Sequence, residues 1–93
     1  MMDEPLNDHD ARQLLTSILD SEDGTVHLSS HAQQRIDERH VTMRQLNVVL
    51  RHGAVDGCDL IEGSWRYHVV GLNLTAVVAF DSETMAVVVT VLD

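Results

Sequence analysis

The chain changes period after Gly53, and that change narrows the folds open to it. Val55 to Ile61, Trp65 to Val70, Leu74 to Phe80 and Met85 to Leu92 read as strands. Only Glu62-Gly63-Ser64, Gly71-Leu72-Asn73 and Asp81-Ser82-Glu83-Thr84 separate them. A parallel crossover takes a dozen or more residues, so turns this short force antiparallel neighbours. The spacing therefore predicts a meander of about four strands. Ala76 to Ala79 and Ala86 to Val89 are apolar on both faces, which predicts central strands with helices over one side.

Before Gly53 the period is helical. Leu14, Leu15, Ile18 and Leu19 predict a short amphipathic helix over Asp10 to Asp20, ended by Ser21-Glu22-Asp23-Gly24. Met1 to His9 are polar and read as loose chain, and Thr25 to Leu28 as a brief extended segment. Ser30 with Gln33 and Thr42 with Gln45 each have capping-box spacing. They predict one helix from Ser30 to about Arg39 and a second, carrying Met43, Leu46, Val49 and Leu50, that stops at Gly53. Helices followed by an antiparallel meander make an α+β order.

Ninety-three residues suit one folded body, and 44% apolar composition suits a globular one. The lone cysteine, Cys58, has no internal partner, which fits a reducing compartment. No apolar run approaches the roughly 20 residues that span a bilayer, and the acidic start lacks a signal-peptide pattern. The expectation is a soluble cytoplasmic protein with no membrane contact. The formal charge is −9, and every basic side chain other than histidine is an arginine. Residues 1–26 carry seven acids and one arginine. Residues 27–68 balance five acids with five arginines and hold five of the six histidines. This division sets an acidic N-terminal segment with a short helix, 1–26, before an α+β domain, 27–93.

The neutral zone contains the main chemical signal. His31, Arg35 and Arg39 recur every four residues and form one helical stripe, with Ala32 and Ile36 as an apolar stripe beside it. Histidine suits proton transfer near neutral pH, and arginine gives planar bidentate contacts to phosphate. Alternation on Trp65 to Val70 sets Arg66 and His68 on one face and Trp65, Tyr67 and Val69 on the other. Thr90 is a polar residue in an otherwise apolar last strand.

In their order and spacing, His31-Ala32, Arg35, Arg39, Val41-Thr42, Trp65-Arg66-Tyr67, Val69 and Val89-Thr90-Val91 resemble a small bacterial family, domain of unknown function 4258. The resemblance covers roughly residues 27–92. It implies a RelE-like fold, that of the barnase–EndoU–colicin–RelE ribonucleases, within the MqsR-like group of toxin–antitoxin components. It also implies a metal-independent endoribonuclease. RNA would be the substrate and a cognate antitoxin a partner. Such toxins are usually basic, which this chain is not.

On that reading His31 and His68 transfer protons, and Arg35, Arg39, Arg66 and Thr90 hold phosphate. More ordinary roles stand beside these. His31 can be a helix-start residue, the arginines can pair with acids or pin the helix, and Trp65 and Tyr67 read as core. The acidic first segment can cover the arginine stripe or serve solubility. His27 and His31 have a ligand-like spacing, but a helix cap between them takes them off one face, so no metal and no cofactor is expected. Asp56 and Asp59 flank Cys58 and argue against a thiol nucleophile. The alternative function is a non-catalytic interaction module on the same scaffold, offering its acidic surface to a basic partner.

Overall fold

The computed structural model describes residues 2–93. It has α1 (Asp8–Asp20), β1 (Thr25–Leu28), α2 (Ser30–Arg39), α3 (Met43–His52), β2 (Ala54–Ile61), β3 (Ser64–Val70), β4 (Thr75–Ser82) and β5 (Met85–Leu92). The fold is α+β, and the antiparallel meander β2-β3-β4-β5 is present as the turns require. The β2–β3 turn is the two residues Glu62-Gly63, at φ 51° and 79°. That is the left-handed pair a tight hairpin needs, with glycine supplying the second position without strain.

The sheet has five strands rather than four, in the order β1-β5-β4-β3-β2, and β1 lies parallel to β5. The expected four-strand antiparallel meander thus gains a fifth strand, parallel at its edge. Thr25–Leu28 is only four residues long, and its partner Met85–Val88 lies some 60 positions away. Turn lengths report neighbouring pairings only, so this one leaves no local mark. Gly24 makes the link into β1 possible, because a Cβ there would lie 1.9 Å from the Ile18 carbonyl oxygen.

All three helices pack on one face of the sheet. Ala11, Leu15 and Ile18 from α1, Ala32 and Ile36 from α2, and Leu46, Val49 and Leu50 from α3 share one core with the strands. The strands contribute Tyr67, Val69, Ala76, Val78, Phe80, Ala86, Val88 and Val91. α1 and residues 2–7 of the acidic segment thus share a core with residues 27–93. Asn7 caps α1, its side chain accepting from Asp10 N–H, so the helix starts before Asp10. Thr42 and Gln45 form the expected reciprocal capping box on α3. The cap of α2 is Ser29 and not Ser30. The Ser29 hydroxyl accepts from Ala32 N–H and donates to the Val89 carbonyl at 2.7 Å, so one side chain starts the helix and fastens it to β5.

Two polar ties close the assembly. Arg12 on α1 donates to the Leu50 and Gly53 carbonyls, the latter at 2.7 Å, and so caps the C-terminus of α3. Burial lowers its pKa from the ordinary guanidinium value. Tyr67 is buried in the core, and its hydroxyl accepts from Leu6 N–H at 3.0 Å and donates to Glu4 at 2.8 Å. Met2 and Leu6 also pack half-buried against the core. Residues 2–7 are therefore held down, which corrects the expectation of a loose start. Met1 lies outside the described residues.

Burial pushes the Tyr67 phenol up to about 12 from its ordinary value of 10.0, with proximity to Glu4 adding to the rise. An unfolded chain loses this proton near pH 10, while the folded one keeps it. The stabilisation is thus complete below about pH 10 and is lost as pH rises through about 12. Urea titrations should show stability falling by on the order of 2 kcal/mol across that window. Tyr67→Phe should remove this pH dependence and cost about 1–2 kcal/mol at pH 7. An unchanged high-pH profile in Tyr67→Phe would refute this account of the tether.

Candidate functional site

The face of the sheet opposite the helices carries the chemistry. β3 alternates as expected: Tyr67 and Val69 enter the core, while Arg66 and His68 stand on the other face, partly exposed. Register then brings distant residues into rows. His68 pairs with Val77, and Val77 with Thr90, so these three lie in line across β3, β4 and β5. Strands lie about 4.8 Å apart, which sets His68 and Thr90 roughly 10 Å from each other with Val77 between them. Val77 and Ala79 are 7% and 8% exposed, yet neither belongs to the helix-side core. They form a low apolar floor, continued onto β5 by Val87 opposite Ala79.

On one side of this floor stand Arg66, His68 and Asp59. Asp59 is opposite Arg66 in the β2–β3 pairing, and its carboxylate lies 2.9 Å from His68 Nε2. That contact fixes the ring and leaves Nδ1 free. Both side chains are open to water, at 34% and 63% exposure, so the pair adds little to stability. The Nε of Arg66 is buried without a hydrogen-bond partner. On the other side lie Thr90 and, one row along, His27, which pairs with Val87 on β5.

α2 flanks this far side. β1 accompanies β5 only as far as Val88. From there Ser29 bonds Val89 at one end of α2, and Arg39 pairs with Asp93 at the other. The helix therefore runs beside the second half of β5. Arg35 lies between these anchors, half-buried, its Nε also buried without a partner. His31 is exposed in the first turn.

The structure thus brings Arg66, His68 and Thr90 onto one face, while His31 and Arg35 lie on α2, which packs on the covered side and runs along β5. Arg39 is occupied by the carboxylate of Asp93, which accounts for its end of the stripe. The acidic first segment does not reach the stripe through any of its observed polar contacts. Asp20 pairs with Arg51 at 2.8 Å, and Asp8 accepts from Gly57 N–H at 3.0 Å. Asp59 and His27 were missed as site residues. Asp59 was legible in principle, since alternation that turns Cys58 inward turns Asp59 outward. His27 was not, because its role depends on the unforeseen β1–β5 pairing.

A comparison with protein families, with curated proteins and with solved structures finds no match to this chain. Among the described residues no group of three or more His, Cys, Asp or Glu side chains stands close enough to hold a metal ion, and no helix is long and apolar enough to cross a membrane.

Cys58 lies half-buried on the helix-side face of β2, next to Asp59. Its thiol is pushed above the ordinary value first by burial, then by the charges of Asp59, Asp8 and Glu4. Because the thiolate is the reactive form, alkylation of Cys58 by iodoacetamide at pH 8 should run several-fold slower than that of a free thiol. Asp59→Asn should speed it. A wild-type rate equal to the free thiol's contradicts this reading.

Proposed function

We propose that this chain is a RelE-like domain that binds single-stranded RNA on the uncovered sheet face and cleaves it without metal. The row His68–Val77–Thr90 carries the reading, since it pairs a proton-transfer group with a hydroxyl across a low apolar floor. His68 takes the proton of a ribose 2′-hydroxyl through Nδ1, while Asp59 holds the opposite ring nitrogen. The freed 2′-oxygen attacks phosphorus, the bond to the 5′-oxygen breaks, and a 2′,3′-cyclic phosphate forms. A second histidine, His31 or His27, returns a proton to the leaving oxygen. Arg66 and Arg35 offset the phosphate charge, and Thr90 donates to a phosphate oxygen.

A second reading is the interaction module. The exposed carboxylates Asp8, Asp10 and Asp20 along α1, with Glu22 and Asp23 after it, favour a basic protein partner there. It differs in location, since α1 packs on the opposite side of the sheet.

Incubation of end-labelled RNA in EDTA separates the two. Wild type should release products ending in 2′,3′-cyclic phosphate. His68→Ala and Arg66→Ala should lower the rate by about 10²–10⁴ while keeping native circular dichroism. RNA affinity should fall with salt by about 0.7 log units per log unit for each phosphate held. An intact His68→Ala protein that cleaves like wild type ends the catalytic assignment. Failure of wild type to bind RNA even at low salt ends the whole reading.

A further inference from the structure

A second surface, on α3 and the β3–β4 turn, has a character unlike the rest of the molecule. Leu72 sits in that turn with 96% of its area in water, and Val48 on the outer face of α3 is 51% exposed. Together they form an apolar ridge with a cleft on each side. The first, about 280 Å³, is bounded by Arg44, Gln45, Asn73 and Leu74, and the second, about 400 Å³, by His52, Ala54 and Val70. Val49 lies at the base of both. Apolar side chains held this far into water, with concave surface on either side, mark a contact site more often than chance exposure.

The charge around the ridge identifies its occupant. The chain holds 15 acids, yet α3 and the turn Gly71–Leu74 contain none, and no acid lines either cleft. Arg44 and His52 border the clefts, exposed, and among the described residues their side chains make no hydrogen bond or ion pair. Arg51 follows on the same helix, already engaged by Asp20. The patch is therefore apolar and free of acids, with the Arg44 guanidinium as its cation, on a chain whose net charge is −9. A second copy meeting this patch through a two-fold axis would bring two patches without acids together, each Arg44 lacking a carboxylate to meet, which disfavours self-pairing.

We propose that the Val48–Leu72 ridge is a docking surface for an acidic amphipathic segment of another protein, with one apolar side chain entering each cleft and carboxylates meeting Arg44 and His52. This inference does not rest on the reading of the sheet face. It predicts a partner of opposite sign to the one the acidic α1 surface would attract.

Selection of a displayed library of random 16-residue peptides on the full-length protein tests it. Recovered sequences should be rich in Asp and Glu with two or more spaced large apolar residues. Synthetic copies should lose at least tenfold in affinity on Leu72→Ser and on Arg44→Glu. Both substitutions replace exposed side chains, and native circular dichroism with an unchanged urea midpoint should confirm intact protein. Recovery of basic peptides, of peptides indifferent to both substitutions, or of no peptide overturns the proposal. So does concentration-dependent self-association that Leu72→Ser abolishes, because a second copy is then the occupant.

Discussion

Every notable feature of this protein follows from a sheet covered on one side only. Three helices lay Ala11, Leu15, Ile18, Ala32, Ile36, Leu46, Val49 and Leu50 against the same face, and burial of that apolar area supplies the main drive to fold. Among the described residues no helix covers the other face. Its residues must then tolerate water or be shielded by their neighbours. On β3 the answer is polar, with Arg66 and His68 outward. On β4 it is apolar but small, with Val77 and Ala79 kept low between flanking side chains. A dry floor with polar borders results from the strand alternation itself, and no loop or separate motif has to build it.

β5 is the strand through which the parts communicate. Its first half pairs with β1, and its second half is bordered by α2. The changeover occurs at Val88–Val89, where Ser29 N–H donates to the Val88 carbonyl and the Ser29 hydroxyl to the Val89 carbonyl. The register also shifts beside this point, with Val77 opposite Thr90 but Val78 opposite Val88. Val89 is thus the extra residue of a bulge, a device that re-aims neighbouring side chains. The serine, the bulge and Thr90 are adjacent. The start of α2, and with it the position of His31, is tied to the same stretch of strand that presents Thr90.

Local signals in the sequence reported local structure faithfully. The Thr42–Gln45 box, the stop at Gly53, the alternation of β3 and the two-faced apolar runs of β4 and β5 all depend on residues a few positions apart. Contacts made across the chain were harder to see. The β1–β5 pairing, the cap at Ser29, the Arg12 bond to the end of α3 and the Tyr67 tether to Glu4 and Leu6 join residues roughly 40 to 65 positions apart, or depend on such contacts. Ser29 and Ser30 are chemically equal as caps, and contacts with the distant Val88 and Val89 carbonyls distinguish Ser29. The site divides the same way. Arg66 and His68 were legible as a pair from alternation, whereas their relation to Thr90 and His27 needed the register of three strand pairings.

The net charge of −9 and the arginines of the open face act over different distances. The molecule measures 36 × 30 × 23 Å, several times the screening length of about 8 Å at physiological salt. Carboxylates on α1 lie on the helix side of the sheet, beyond much of their reach to the open face. A phosphate seated at Arg66 therefore feels the guanidinium and nearby Asp59 far more than the total. An approaching polyanion feels the total first. Net charge thus opposes encounter, while local geometry governs retention once contact is made. The same separation lets the Arg44 charge persist on an acidic chain, since among the described residues no acid lines the clefts beside it.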